Sequence, residues 1–451
     1  MVDMTQKVDG LAGGGGNAAF CAAIALHKAG RLSEAEVAYR AALENSPGHP
    51  AIMQNLGVVV AAQGKHQSAI DYFDQVIAAE PYYVSAYYNR AVVLQVLGQG
   101  REAMRDFGRV CAIEPGHYDA HRALGFLWLA EGERGRALDH FARTYELRRG
   151  EDRTDTAARS LTCSTRSKLR HDSEQFRFLS ARRRDGQYFE MLARNYAEVA
   201  KDFPVGATKL SAGQLDMLGE GYNTAINICS APEIPDWAIN DQLDCEAIIR
   251  KFKEHQTGVV MFDDLLTPPA LLRLKRYLLE STIWHDFSHI GGFVASYLED
   301  GLACPLLLQI ADELRVAFPE LLRKHPLTQA WAFKGLEGQA AIDAHADDAA
   351  INVNFWVTPD DANLNPDGGG LAVCRVPPPL DWEMRNYNDD KGRIVSFLEQ
   401  NATDTLIVPY RENRAVLFES RLFHHSDAPE FAIGYENHRI NVTLLFGHHE
   451  N

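Results

Sequence analysis

The chain has no C-x-x-C motif, although it holds seven cysteines, Cys21, Cys111, Cys163, Cys229, Cys245, Cys304 and Cys374. Their scatter and odd number argue against a cysteine zinc site and against a disulfide framework, and point to reduced thiols. No apolar run is long enough to span a bilayer, and the opening sixteen residues lack the apolar core of a secretion signal. Nor is there an excess of positive charge. Lys and Arg number 45 against 61 Asp and Glu, a net charge of −16, which argues against a general nucleic-acid binder, whose phosphate contacts need a basic face. These absences predict a cytoplasmic protein with neither nucleic acid nor membrane as a partner. What is present is an ordinary globular composition, 46% apolar and 24% charged, in 451 residues, a length that predicts two or three domains.

The first third repeats with a period of 34. Gly30, Gly64, Gly98 and Gly132 form one column; Ala35, Ala69, Ala103 and Ala137 a second; Tyr39, Phe73, Phe107 and Phe141 a third. Pro47, Pro81 and Pro115 form a fourth, which ends at Arg149. Each unit reads as two helices. The glycine lets the chain turn between them, the alanine sits where helices touch, the aromatic ring fills the wedge, and the proline stops the second helix. The pattern resembles the tetratricopeptide repeat, with four units over 17–150 behind a flexible lead-in at 1–16. Asn55-Leu56-Gly57 and Leu124-Gly125 match its first helix. The resemblance implies a concave groove in which Asn55 and Asn89, one period apart, stack and hold the backbone of a protein or peptide partner. The bland alternative is that both simply face water.

Residues 151–255 predict a helical connector, with helical spacing in Ser167–Leu179 and Gly186–Val199. Arg182, Arg183 and Arg184 make it the basic part of an acidic chain, and the expectation is solvated helix faces. His171, Asp172 and Glu174 are expected to be structural. From 256 to 451 the texture changes. A strand near Gly258 precedes a helix opening at Thr267-Pro268-Pro269, and a second helix opens at Pro305. The strands QAWAFK, AINVNFWV, GLAVCRV, DTLIVPY, AVLFES and RINVTLLFG follow. Many short strands after a pair of helices predict a sandwich or rolled sheet buttressed by helices.

Within that region His345-Ala346-Asp347, read as a strand, places an imidazole and a carboxylate on one face. A distant histidine closing the triangle gives the two-His, one-carboxylate set of mononuclear iron centres. Two histidines compete for that place, His424 and His425. Downstream, Arg439, Asn441 and Thr443 share a strand face, as do Asn352, Asn354 and Trp356. An arginine on an inward face needs an anion, and its fork fits a carboxylate.

The order His-x-Asp, Gly368-Gly369-Gly370 before an apolar strand, Asn413-Arg414 through Phe418 to Ser420, a histidine, then Arg439 to Thr443 resembles the 2-oxoglutarate- and Fe(II)-dependent dioxygenases of the prolyl-hydroxylase-like branch. The resemblance covers about 256–449. It implies a double-stranded β-helix, or jelly roll, in a multidomain α + β chain. Iron would be bound by His345, Asp347 and His424, and the far carboxylate of 2-oxoglutarate would meet Arg439. Asn352, Asn354, Trp356, Asn441 and Thr443 would line the co-substrate site. The implied activity uses O2 to hydroxylate a substrate, with a protein side chain as the first expectation. A small-molecule substrate, with the repeats serving assembly, is the alternative, as is a non-catalytic adaptor with a relic domain. Residues Glu430–Asn437 lengthen the gap before Arg439 relative to compact members, which leaves His438 as the rival for the inward position.

Overall fold

The computed structural model describes residues 14–150, 161–254, 257–288, 292–336, 342–379, 382, 390–427 and 429–448. Backbone contacts divide the chain into two compact units, Met1–Leu127 and Trp128–Asn451, and the division falls inside a helix. Among the described residues no helix is long and apolar enough to cross a membrane.

The periodic region is all helical: α1 (Gly14–Lys28), α2 (Leu32–Asn45), α3 (Pro50–Ala62), α4 (His66–Ala79), α5 (Val84–Val96), α6 (Gly100–Ile113), α7 (Tyr118–Ala130) and α8 (Arg134–Arg149). The helix pairs follow the 34-residue period. The glycine column sits between the helices of each pair at φ +71° to +79°, a left-handed turn that a Cβ disfavours. The alanine column is fully buried, and so are Tyr39, Phe73 and Phe107. Gly57 has a different duty. A Cβ there would lie 2.6 Å from the Phe73 ring, so the residue is small to let α3 and α4 close up. Helix α1 starts at Gly14, inside the segment expected to be a flexible lead-in; residues 1–13 lie outside the described residues. The first turn of a helix has no internal partners for its N–H groups, so glycine is tolerated there.

The second unit begins with the end of α7 and with α8. Arg149 stands where the earlier repeats carry proline, and it is buried. Its Nε and Nη2 donate to the two carboxylate oxygens of Asp300 at 2.8 and 2.6 Å. Burial alone would raise the Asp300 carboxyl, but this guanidinium overrides it and holds the pKa at about 2.

Residues 161–254 are helical in part, as expected, and one helix of this stretch has a polar face that is buried. Helix α9 (Arg166–Ser180), capped by Thr165, buries Lys168, His171, Asp172, Ser173 and Gln175 along with its apolar residues. The charges are hidden because they are paired. Lys168 Nζ reaches Asp172 Oδ1 at 2.6 Å, and His171 Nδ1 lies 3.0 Å from the same oxygen. Gln175 donates to the Ser281 carbonyl at 2.9 Å. The basic run Arg182–Arg184 is exposed, as expected of that stretch.

Eleven strands occur among the described residues. β1 (Cys163–Ser164) and β2 (Thr208–Lys209) form a two-residue ladder. The others are β3 (Val259–Phe262), β4 (Phe293–Tyr297), β5 (Leu327–Gly335), β6 (Ile351–Trp356), β7 (Leu371–Cys374), β8 (Thr405–Val408), β9 (Ala415–Glu419), β10 (His424–Ser426) and β11 (Ile440–Phe446). They make an antiparallel six-stranded sheet in the order β3-β9-β6-β11-β5-β4 and a three-stranded sheet β10-β7-β8. Trp356, Val416 and Phe418 of the first pack with Leu371, Val373 and Val408 of the second in one apolar cluster. Each such side chain, fully buried, contributes about 1.5–3 kcal/mol. Every residue of β6 is buried, so the larger sheet is covered on both faces at this central strand.

Candidate metal centre

Three chain segments converge where the two sheets meet. After β9 the chain turns through Ser420–Phe423 and enters β10, which pairs with β7 so that His424 lies opposite Val373. His345 is not in a strand, as its spacing had suggested, but forms an isolated antiparallel bridge with His424. Its N–H donates to the His424 carbonyl at 3.1 Å, and His424 N–H returns the bond at 2.9 Å. Asp347 is tied by its N–H to the Ser420 carbonyl at 3.0 Å, just before β6. The result does not depend on strand periodicity: two backbone anchors aim the side chains together.

His345, Asp347 and His424 each offer one ligand atom, and these atoms all lie within 4.8 Å of one another. His424 Nε2 is 3.3 Å from Asp347 Oδ2, and His345 Nε2 is 3.7 Å from Oδ1. Both imidazoles are held by their other nitrogen. His345 Nδ1 bonds the Asp343 carbonyl at 2.9 Å and His424 Nδ1 the Leu422 carbonyl at 3.0 Å. A carbonyl only accepts, so each Nδ1 presents a proton to its carbonyl, and Nε2 is the ring nitrogen turned toward Asp347 and placed to ligate a metal. Phe418 meets the His424 ring edge-on at 4.9 Å and limits its rotation. Burial would raise the Asp347 carboxyl, but the His424 imidazole, then that of His345, outweighs it and the pKa falls below its ordinary value. Two imidazoles and one carboxylate form a donor set that fits a divalent ion. His425 lies on the other side of β10 opposite Ala372, and its Nδ1 bonds the Ser426 carbonyl.

Arg439 is buried and faces inward. Its Nε donates to the Gly369 carbonyl at 2.7 Å and Nη2 to the Gly370 carbonyl at 3.0 Å, and the guanidinium carbon stands 5.6 Å from the centre of the Trp356 ring. It makes no ion pair among the described residues. Burial pulls its pKa to about 10, so it remains charged at neutral pH. Gly370 must be glycine, because a Cβ would sit 1.9 Å from the Val408 carbonyl oxygen. His438 turns the opposite way, with Nε2 3.1 Å from Glu174 and Nδ1 2.8 Å from the Gly335 carbonyl oxygen.

Asn352, Asn354, Asn441 and Thr443 share the inner face, as their alternation predicts, and they bond chiefly to one another and to Asp347. Trp356 joins the apolar cluster, and its Nε1–H has no partner. The sequence reading missed an aromatic wall. Trp331 and Phe333 of β5 are register partners of Thr443 and Asn441, hence on the same face, and Tyr297 of β4 partners Trp331. With Phe293 they line a cavity of about 460 Å³ that reaches His345 and Asp347, a volume in the range of small-molecule and residue-sized sites. Lys391 at its rim pairs with Asp343. The alternation of Trp331 and Phe333 was visible in QAWAFK, but nothing in it said which face looked at the metal ligands.

In the first unit Asn55 donates to the Ala51 carbonyl at 2.8 Å, within its own helix. Asn89, one period on, is buried and its Nδ2 has no partner.

A family model described as the tetratricopeptide repeat matches residues 22–84. The N-terminal region is a tetratricopeptide-repeat array. Among solved structures, MamA AMB-1 is similar at 24% identity over 32% of this chain and 77% of that one, with a TM-score of 0.28. A tetratricopeptide repeat protein from Parabacteroides merdae ATCC 43184 is 19% identical over 41% and 63%, with a TM-score of 0.29. The first TPR of Spaghetti (RPAP3), bound to the HSP90 peptide SRMEEVD, is 22% identical over 26% and 93%, with a TM-score of 0.25. No curated protein matches the chain.

Proposed function

We propose that the C-terminal unit is a 2-oxoglutarate- and Fe(II)-dependent oxygenase of jelly-roll type, which hydroxylates a protein or peptide side chain, and that the repeat array binds the substrate protein or a partner. The observation that carries this reading is the convergence of His345, Asp347 and His424 within 4.8 Å, with both Nδ1 atoms committed to backbone carbonyls. A buried Arg439 that forms no ion pair among the described residues adds to it, because such a cation is costly until an anion arrives.

In this reading His345, Asp347 and His424 would hold the iron. Iron, when bound, supplies the redox chemistry that couples conversion of 2-oxoglutarate and O2 to succinate and CO2 with insertion of one oxygen atom into a substrate C–H bond. Arg439 binds the distal carboxylate of 2-oxoglutarate through the fork edge not spent on Gly369 and Gly370. Trp331, Phe333, Tyr297 and Phe293 seat the substrate side chain and exclude water from it. Asn89, with a buried N–H to offer, and Asn55 would contact the backbone of an extended peptide in the repeat groove.

The test is anaerobic titration of the apoprotein with Fe(II) and 2-oxoglutarate, watching for a visible charge-transfer band, followed by admission of O2 and assay of succinate. The band and slow succinate formation are expected in the wild type. Both are expected to be lost in Asp347→Ala, and 2-oxoglutarate affinity is expected to fall in Arg439→Ala. No band and no succinate in the wild type would remove the enzyme and leave the repeat groove as the seat of function.

A further inference from the structure

The inner face of the six-stranded sheet carries a chain of side-chain amides whose direction is set at one end. An ionised Asp347 can only accept hydrogen bonds. Asn352 must therefore turn its Nδ2 toward it, and does so at 2.6 Å from Oδ2. That turns Asn352 Oδ1 away from the metal ligands, where it accepts Nδ2 of Asn354 at 2.6 Å. Asn354 Oδ1, now also fixed, accepts Asn441 Nδ2 at 2.8 Å and the Thr443 hydroxyl at 2.7 Å. Reversing any one amide sets oxygen against oxygen or N–H against N–H, so no single flip is allowed. The one unmet group lies where this polarity puts it: Asn441 Oδ1, at the far end, is buried and has no partner. Asn352, Asn354, Asn441 and Thr443 are all under one-tenth exposed, so water does not compete for the bonds.

We infer that Asn352, Asn354 and Asn441 form a directional ladder that positions the Asp347 carboxylate, and that its integrity sets the affinity of the site for a divalent metal. Asn352 engages Oδ2 and leaves Oδ1 as the oxygen without an amide donor. Asn354 acts one bond further back, by obliging Asn352 to face the right way. None of the three is a catalytic residue; each is a positioning residue. The inference rests on the metal-centre reading above and gives Asn352, Asn354 and Asn441 a part in holding the metal, in place of the co-substrate contacts expected of them.

Co(II) serves as the probe, titrated anaerobically into the full-length apoprotein and followed by its d–d absorption, with thermal unfolding measured on the same samples. Asn354→Asp keeps the shape but replaces the donor to Asn352 by an acceptor. It is expected to weaken Co(II) binding about 10-fold without touching a ligand, and Asn352→Ala about 10- to 100-fold, the range for residues that orient metal ligands. Asn227→Ala is the control. It removes another buried amide, bonded to the Glu280 carbonyl, and should lower the unfolding temperature while leaving Co(II) affinity unchanged. Should Asn354→Asp not fold, Asn352→Ala against Asn227→Ala decides. Folded Asn352→Ala with wild-type Co(II) affinity overturns the ladder, as does an equal loss in Asn227→Ala. A wild type that fails to bind Co(II) overturns the metal centre itself.

Discussion

Up to Leu127 the buried polar side chains among the described residues are Gln54, Asn89 and Asp106; from Trp128 onward the interior takes in Arg149, Lys168, His171, Asp172, His285, Asp300 and Lys334. The array needs little polar interior because each helix touches only its neighbours, and small alanines beside one aromatic ring fill the space. Its one buried charge, Asp106, is met by both Nε and Nη2 of Arg90 at 2.7 Å. The second unit packs two sheets against each other with helices alongside, and helix α9 carries buried charges. One unit depends on steric fit, the other on charges finding partners. Mutations should separate the two.

The largest effect is expected at Arg149. Arg149→Ala takes both hydrogen-bond donors from the buried Asp300 carboxylate, leaving it the longer Arg148 contact at 3.8 Å, and should cost about 3–5 kcal/mol in urea unfolding of the second unit. Asp300 has a folded pKa of about 2, below the roughly 3.9 of an unfolded chain. The stabilisation is therefore present above pH about 4 and lost as pH falls toward 2. That acid dependence should be absent in the variant. A denaturation midpoint within error of wild type would show that the charge pair is not what holds this region.

Next comes a purely steric change. Gly57→Val drives a side chain into Phe73 and should cost about 1–3 kcal/mol, seen in the unfolding of the array while the second unit's transition stays put. If both transitions moved together, the contrast between the units would fail.

The smallest and sharpest effect is expected at Lys334. Its Nζ is buried without a hydrogen-bond partner, 3.2 Å from the centre of the Tyr435 ring, and burial drives its pKa well below the ordinary lysine value. Lys334→Met should stabilise the second unit by about 1 kcal/mol at pH 7. The sign is fixed by linkage. The unfolded lysine binds more protons, so wild-type stability rises with pH until about 10.4, and the advantage of methionine shrinks over that window. A methionine variant less stable than wild type at pH 7 would mean that the ammonium is bound more tightly than its surroundings indicate.

How much of this was legible depended on what each feature leaves in the sequence. The repeats were legible because a period carries its own evidence: the glycine and alanine columns are spaced by geometry. The strands were legible from alternation, and the grouping of His345 and Asp347 with His424 rather than His425 came from the family resemblance, although a backbone bridge aims them where a strand was expected. In helix α9 the structural part of His171 and Asp172 was legible, whereas the burial of Lys168 and Gln175 was not, because they look solvated until their partners are seen. The cradle for Arg439 is two backbone carbonyls, which no side-chain pattern records. The direction of the amide ladder needs the three-dimensional pairing of β6 with β11, although each asparagine stood in plain view.

Arg149 also bears on how such a chain could change in length. In the earlier repeats the proline releases the chain for another pair of helices. In the fourth, the same position is locked to Asp300 by two hydrogen bonds. That unit cannot be duplicated in place without making a second copy of the lock with no carboxylate to receive it. Insertions or deletions of whole 34-residue modules are therefore confined to the stretch before Gly132, and variants with three or five modules made there should keep the C-terminal unit intact. The terminal arginine works as a stop mark for recombination, written in the same column that elsewhere invites the next module.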